Sequence, residues 1–548
     1  MSLSFARRAL VVVCVIALGG ALSSAVASPQ RPAETRYATA WTGLAPRVAD
    51  HPMAAARRLP RSHPRGERPI PRLRSRSGQA IGSAPSAAAS AGTATPLTRN
   101  FNGVSSRDSK NTNFNLEFEP PDQGLCEGNG FVLEAVNSAY RIYRTDGTSV
   151  RGPFNINDLF NEGAAEFTSD PRCYFDPNTK RWFATILFID FNTGASRADL
   201  AVSTSSDPTG TWTQYRFDTT DDGRLGEPDN PGCPCFGDQP LFGIDQHNIY
   251  ISTNEFSVFG RQFNGAQIYA VAKSDVIKGK PTAHFVHFGH LRIDGVTAAS
   301  VQPASNRLRA PAEFFLSSLD PNRTFDSRLG VWALTGGAKV ATGGTPTLSS
   351  TVITSEAYGI PPAAAQRGST STLDSGDDRM QQAQYIGGRL WGSLGTAVSI
   401  PGDSQERAGA AWFSIVPTLH AGAISKARVD RQGYVVEKGA YVLYPAVQAD
   451  ANGRAAMVFT LTGPKRYPSA AYATLHTGRA AFSAPTVAAA GTGPYHKKST
   501  RWGDYSYAAI NPAATSVWLA TEYIPPKSSQ TQDGRQNWGT RVLNVPLR

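Results

Sequence analysis

Residues 170–217 read DPRCYFDPNTKRWFATILFIDFNTGASRADLAVSTSSDPTGTWTQYRF. Asp170-Pro171-Arg172 opens the stretch, and Cys173-Tyr174-Phe175 continues it as a strand. Asp176-Pro177-Asn178-Thr179-Lys180 is a turn by composition, because Asp and Asn bond their own backbone and Pro presets φ. The bulky run from Trp182 to Ile189 is a second strand, and Leu200-Ala201-Val202 a third. The turn at 205–212 leads to a fourth strand ending at Phe217. Apolar and β-branched runs broken by Gly, Pro, Asn and Asp specify an antiparallel meander. Four strands in about 48 residues is the size of one propeller blade.

The same pattern recurs along the chain. A polar cluster opens an inner strand, a turn follows, and a heavier apolar strand comes next. Gly237-Asp238-Gln239-Pro240 leads to Ile249-Tyr250-Ile251, and Asp377-Asp378-Arg379-Met380 leads to Leu390-Trp391. Tyr444-Pro445-Ala446 leads to Met457-Val458-Phe459, and Arg501-Trp502-Gly503-Asp504-Tyr505 leads to Val517-Trp518-Leu519. Weaker copies begin at Phe131 and Glu313. Second strands are therefore predicted near 131, 182, 249, 313, 390, 456 and 516. The fold class is all-β: a single propeller of seven four-stranded blades, with six as the alternative because the first copy shows no clear inner strand. A ring of sheets leaves few exposed edges. Closure needs an outer strand from the N-terminal side, at 97–104 or 113–118, beside the C-terminal strand at 540–545. Helices should be few and short, since no stretch sustains a helical period.

Residues 1–27 have the form of a secretory signal peptide: Arg7 and Arg8, an apolar run over 9–22, then Ala25-Val26-Ala27. Residues 28–96 are rich in Ala, Pro, Ser and Arg and are predicted to stay disordered, as a linker or a pro-segment cut at Arg57-Arg58. The domain proper runs from 97 to 548. The formal charge of the 548-residue chain is +11, but residues 28–96 hold 11 basic residues against 3 acidic ones. Of 54 Lys and Arg and 43 Asp and Glu, only 41 and 40 remain outside the signal and tail. The domain is near neutral, which gives nucleic-acid binding no support. No other apolar run approaches the length of a membrane span. The reading is of a secreted monomer.

Cys126, Cys173, Cys233 and Cys235 follow the signal segment, and an even count in an exported chain favours disulfides. The favoured pairing is Cys126 with Cys173 and Cys233 with Cys235. Crossed pairing and a zinc site are the alternatives.

Inner strands line a propeller axis, and their first residues crowd one mouth. That mouth collects Asp170, Asp238, Asp378, Asp504 and Tyr505 as candidate catalytic groups, with Glu127 a further carboxyl. Arg172, Arg379 and Arg501 are candidate substrate-binding groups, because a guanidinium clamps a carboxylate through two parallel bonds. A carboxyl with a raised pKa can protonate a glycosidic oxygen while a second group attacks or activates water. The plainer account of each Asp is a capped turn. No cofactor is expected. The acidic loop 218–229 could hold calcium, though it lacks the spacing of a known calcium loop. His287 and His290 alternate to opposite faces of a strand and do not share a metal.

Ser206-Asp207-Pro208-Thr209-Gly210 with Trp212 resembles the Asp-box of sialidase-type propellers. Asp170-Pro171-Arg172, Asp238-Gln239-Pro240, residues 373–379 and Arg501-Trp502-Gly503-Asp504-Tyr505 extend the resemblance, over roughly residues 118–545, to secreted bacterial sialidase-like and BNR-repeat proteins. The chain carries one Asp-box and no Arg-Ile-Pro stretch. The resemblance implies a glycan-directed protein, hydrolase-like in design, with Arg172, Arg379 and Arg501 as the arginine triad and Tyr505 and Asp504 beside them. The alternative is a non-catalytic carbohydrate- or protein-binding propeller at the cell envelope.

Overall fold

The computed structural model describes residues 39–48, 83–116, 118–163, 165–319, 325–495, 501–526 and 537–548. The expected signal peptide lies outside them. Among the described residues the chain is all-β with a few short helices, built from antiparallel units of four strands, of which units 3, 4 and 5 are joined by parallel pairing of their first strands. Unit 1 runs from Gly124–Gly128 to Ser149–Asn155, and unit 2 from Phe167–Asp176 to Trp212–Asp218. Unit 3 runs from Cys235–Ile244 to Thr282–Gly289, and unit 4 from Gln302–Asn306 to Thr347–Tyr358. Unit 5 runs from Met380–Ile386 to Ala423–Val435, and unit 6 from Tyr441–Ala449 to Thr486–Ala489. Unit 7 comprises Tyr507–Ile510, Ser516–Tyr523 and Gly539–Pro546, and its fourth strand is Arg99–Ser105 from the N-terminal side. Second strands begin at Phe131, Arg181, Asn248, Glu313, Arg389, Ala455 and Ser516. Each lies within a residue of its predicted start. Unit 1 does possess an inner strand.

The first strands touch in cyclic succession, from unit 1 through unit 7, and unit 7 returns to unit 1. The reason lies in the second strands. In Arg181–Ile189, Phe183 packs with Phe242, Ile249 and Ile251 of unit 3. Trp182, Ala184 and Ile186 pack with Cys126, Leu133 and Ile142 of unit 1. Both faces are buried, so the strand reads as an unbroken apolar run rather than an alternating one. Unit 6 behaves alike: Met457 and Phe459 meet Trp391 and Trp412 of unit 5, while Val458 meets Val517 and Leu519 of unit 7. At the seam, Leu125 and Val132 of unit 1 meet Tyr507, Trp518 and Val542 of unit 7.

Glu134 locks this seam. Its buried carboxylate accepts the Val104 N–H at 2.9 Å, the Tyr143 hydroxyl at 2.9 Å and the Thr540 hydroxyl. Gly103 is required beside it, since a Cβ there would strike Thr540 Oγ1 and the Glu134 carboxylate.

Three inner strands share a second device. Asp170, Gln239 and Tyr444 have positive φ (59°, 48° and 52°), and a proline follows each. The ladder registers shift at these sites, between Ser169 and Arg172, Asp238 and Leu241, and Leu443 and Ala446. Such bulges bend the strand and re-aim its side chains. Below them the interior is spanned by side chains that skip a unit. Tyr505 and Tyr507 of the unit 7 segment donate to the carbonyls of Pro171 and Cys173 at 3.4 and 3.3 Å. Gln382 exchanges two hydrogen bonds with the backbone of Ala508.

Cys126 pairs with Cys173 and Cys233 with Cys235, the favoured arrangement. The expectation of disorder over 28–96 fails in part. Thr39–Pro46 is a strand added to the outer edge of unit 3, where Trp41 packs on Phe285 with ring centroids 5.3 Å apart. Its Trp41 and Ala45 supply apolar contact that the Pro- and Arg-rich surroundings obscure. Arg99–Ser105, not 113–118, supplies the fourth strand of unit 7. No helix among the described residues is long and apolar enough to cross a membrane.

Candidate functional site

Three carboxyl groups from three units converge. Asp122, Asp170 and Asp504 each place an oxygen within 4.8 Å of the others, and all three are buried. Asp122 precedes the first strand of unit 1 with φ 46°; Asp170 sits on the bulge of unit 2. Asn137 joins them: its Nδ2 donates to Asp122 Oδ2 at 2.7 Å, and its Oδ1 accepts the Asp170 N–H at 2.8 Å. Asp122 Oδ1 accepts the Asp504 N–H at 2.7 Å. The cluster is thus stitched through side chain and backbone before any ligand arrives.

Burial raises all three acids. Asp504 rises to about 7 and Asp122 to about 6, each partly restrained by the Arg501 charge. Asp170 rises well above the ordinary range through burial, then through the charges of Asp122, Asp238 and Asp504. At neutral pH Asp170 therefore keeps its proton, Asp504 is about half ionised and Asp122 mostly ionised, because like charges in a buried site cannot all ionise. Glu522 forms a second tier, raised by burial and bonded by Gln123.

The arginines differ in what they already hold. Arg379 donates to Asp377 from Nε at 2.8 Å and Nη2 at 2.7 Å, and to Gln239 from Nη1 at 2.9 Å. Arg501 donates to Asp504 and lies 3.8 Å from Asp374. Arg172 is only 3% exposed, and its guanidinium carbon lies 3.1 Å from the Tyr505 ring centroid. Its Nε has no hydrogen-bond partner among the described residues. Its positive charge acts on both Asp170 and Asp122.

The remaining candidates fall around this group. Asp238 is half-buried and bears on Asp170. Asp378 is buried beside Tyr358, whose hydroxyl its charge affects, and does not join the three-carboxyl group. Tyr505 is raised well above its usual pKa, first by burial and then by Asp170, Asp122 and Asp504 against the Arg172 charge. That keeps the phenol neutral, the opposite of what a phenolate nucleophile needs. Glu127 rises to about 7 through burial alone.

A cation here would need Asp170 to lose its proton and would sit beside the charges of Arg172 and Arg501. In the 218–229 loop the carboxylates point apart. Glu227 accepts the N–H groups of Arg224 and Leu225, Asp222 pairs with Arg224, and Asp218 accepts the Thr220 N–H. Asp221 turns inward toward Glu255. Among the described residues, no three carboxylates of this loop bring oxygens within 4.8 Å of one another. His287 is buried, bonds Gln267 at 3.0 Å and is lowered to about 3 by burial, whereas His290 is exposed. The turn at 205–212 bonds locally, with Asp207 Oδ1 accepting both N–H and O–H of Thr209.

Sequence reading missed Asp122, Asn137 and Glu522. Asp122 follows Pro120-Pro121 with no apolar run to mark a strand, and only its place two residues ahead of Gly124 signals the role.

No protein family matches the sequence, and no curated protein matches it. Among solved structures, the Hadza microbial sialidase Hz136 is 10% identical with a TM-score of 0.33, over 76% of this chain and 73% of that one. The Dos1 propeller is 9% identical with a TM-score of 0.33, over 78% and 79%. The α-L-arabinofuranosidase arb93a of Fusarium graminearum is 10% identical with a TM-score of 0.31, over 81% and 97%. From likenesses this weak nothing follows about what this chain does.

Proposed function

We propose that the chain is an exported seven-bladed propeller, closed by the Arg99–Ser105 strand, that takes an acidic glycan at the mouth of its axis. Cyclic contact of the first strands supports the ring, and the disulfides suit an oxidising compartment. The observation that carries the ligand reading is Arg172: a guanidinium held flat on Tyr505, with Nε unengaged among the described residues, beside the protonated Asp170 carboxyl. A guanidinium stacked and oriented in advance loses little entropy on gripping a carboxylate. Protonated Asp170 is the group best suited to donate to a glycosidic oxygen, with Asp238 beside it and Asp504 and Asp122 setting its charge. Arg379 and Arg501 act by holding Asp377 and Asp504 in place. Asp378 serves the wall near Tyr358.

A second reading, binding without turnover, is favoured by the neutral Tyr505 and by carboxyls already engaged by Asn137, the Asp504 N–H and Arg501. One experiment separates the two. The purified domain is titrated with a panel of sialosides, uronic-acid oligosaccharides and neutral sugars, and each mixture is assayed for released sugar. Arg172→Ala is expected to weaken binding of the acidic members roughly ten- to a hundredfold, the worth of a charged hydrogen bond. Asp170→Asn should abolish turnover in the hydrolase reading and leave affinity within about threefold. Equal affinity for neutral and acidic sugars, or none for either, rejects the proposal.

A further inference from the structure

A separate buried cluster lies at the entrance to unit 3. Cys233–Cys235 spans one proline, and its two sulfurs differ sharply in environment. Cys235 is fully buried, whereas Cys233 is half-buried and follows the exposed Pro231-Gly232. Glu255, itself buried, places Oε1 3.6 Å from Cys233 Sγ, and one of its oxygens lies within 4.8 Å of both sulfurs. Two amides fix that carboxylate. Asn264 Nδ2 donates to Glu255 Oε1 at 2.6 Å and sits 3.6 Å from Cys235 Sγ; Asn230 Nδ2 donates at 2.9 Å. Behind Glu255 stands Asp221, buried, its carboxyl facing that of Glu255. His287 Nδ1 is 3.8 Å from Asp221 Oδ1. Asp218, Glu227 and Tyr269 complete the titratable surroundings. Burial, and then the adjacent Glu255, raise the Asp221 carboxyl far above its ordinary range, so it retains a proton.

A structural disulfide needs no carboxyl at its sulfurs, and burying one there costs free energy. The other bridge, Cys126–Cys173, is buried at both ends in an apolar cluster of Leu133, Ile142 and Trp182. We propose that Cys233-Pro234-Cys235 is a thiol–disulfide exchange site, open to an external dithiol at Cys233 and served by Glu255 and Asp221 as a proton relay for the buried Cys235.

The step balances as follows. A thiolate of the dithiol attacks Cys233 Sγ, forming a mixed disulfide as the Cys233–Cys235 bond breaks. The electron pair goes to Cys235 Sγ, which cannot stay charged in a dry site. Asp221 gives its proton to the Glu255 carboxylate, Glu255 passes it on to Cys235 Sγ, and Asp221 regains one from solvent. The second thiol of the dithiol then attacks its own sulfur in the mixed disulfide. It leaves as the oxidised disulfide, and Cys233 departs as a thiol. Two electrons pass from the dithiol, and the protein gains two hydrogens.

The test uses the intact folded protein with graded dithiothreitol, followed by alkylation and peptide mass spectrometry. Cys233 and Cys235 are expected to label together while Cys126 and Cys173 remain oxidised and the melting transition is retained. Glu255→Gln should slow their reduction roughly a hundredfold, the scale of a positioned proton donor. Asp221→Asn, which leaves Glu255 in place, should slow it less and shift the pH dependence of the rate. Reduction of both bridges at one common rate that follows unfolding in urea would overturn the proposal. So would an unaltered rate in folded Glu255→Gln. Should that variant not fold, the wild-type comparison of the two bridges decides alone.

Discussion

Glu134→Ala is expected to lower stability by about 3 to 6 kcal/mol, with the loss concentrated at the seam between units 1 and 7. The Glu134 carboxylate is fully buried and accepts donors from three separate segments: Val104 on the closing strand, Tyr143 in unit 1 and Thr540 on the last strand. Truncation strands the Val104 N–H and the Tyr143 hydroxyl, at about 1 to 3 kcal/mol each, and leaves a cavity, while Thr540 can still donate to the Val104 carbonyl at 3.0 Å. Burial raises the Glu134 pKa, and its three hydrogen bonds oppose that rise. Glu134→Gln keeps one acceptor oxygen and should recover about half the loss. The measurement is a urea midpoint for each variant, joined to amide exchange across residues 99–105 and 539–546. Fast exchange confined to those two strands identifies the seam. A midpoint for Glu134→Ala within about 1 kcal/mol of wild type would mean that strand pairing alone holds Arg99–Ser105 in unit 7.

What could be read in advance follows from which faces are buried. Second strands were legible because both of their faces meet neighbouring units, so Trp182 through Ile189 needs apolar side chains throughout. Thr39–Pro46 was hidden because an edge strand is buried on fewer sides, and only Trp41 and Leu44 mark it. At the mouth, local spacing carries more than its surface reading suggests. Asp377 and Arg379 lie two apart, and Asp377 Oδ1 accepts from both the backbone and Nε of Arg379. Asp326 and Arg328 repeat that clamp at the start of the Asp326–Thr335 strand. An Asp-x-Arg pair can thus engage its own guanidinium, as Asp377 does with Arg379. Arg172 has Asp170 two residues before it but makes no such clamp. Pro171 and the bulge turn Asp170 aside, toward Asp122 and Asp504. Proline between acid and guanidinium was the visible sign of a separated pair. Asp122 was beyond reach, because its partners Asn137 and Asp504 come from elsewhere in the chain.

The carboxyl cluster also gives the protein a pH signature. For Asp504 and Asp122, the folded-state pKa values of about 7 and about 6 stand above the unfolded value of 3.8. Asp199 behaves alike at about 7, raised by burial against the Arg197 charge. An acid with a raised folded pKa binds its proton more tightly when folded. Its contribution is fully present below pH 4 and is lost as pH rises through 6 to 7. Asp403, held down by its hydrogen bond from Arg407, and Asp430, held down by Arg389, act oppositely. Their contribution is present above pH 4 and lost below it. The two classes occupy different windows, so the stability curve should climb to a maximum near pH 4 to 5 and fall toward pH 7. Asp504→Asn cannot ionise, and its curve should lose up to about 4 kcal/mol of the fall between pH 4 and 7 while keeping the acid limb. Asp403→Asn should weaken the acid limb and leave the fall intact. Calorimetric midpoints from pH 3 to 8 for the three proteins read this directly. Removing the Arg501 partner shifts the whole Asp504→Asn curve, so slope and not height carries the comparison. Curves running parallel across pH 4 to 7 would show that the three aspartates ionise without protest, and a cluster that does so holds no proton to give.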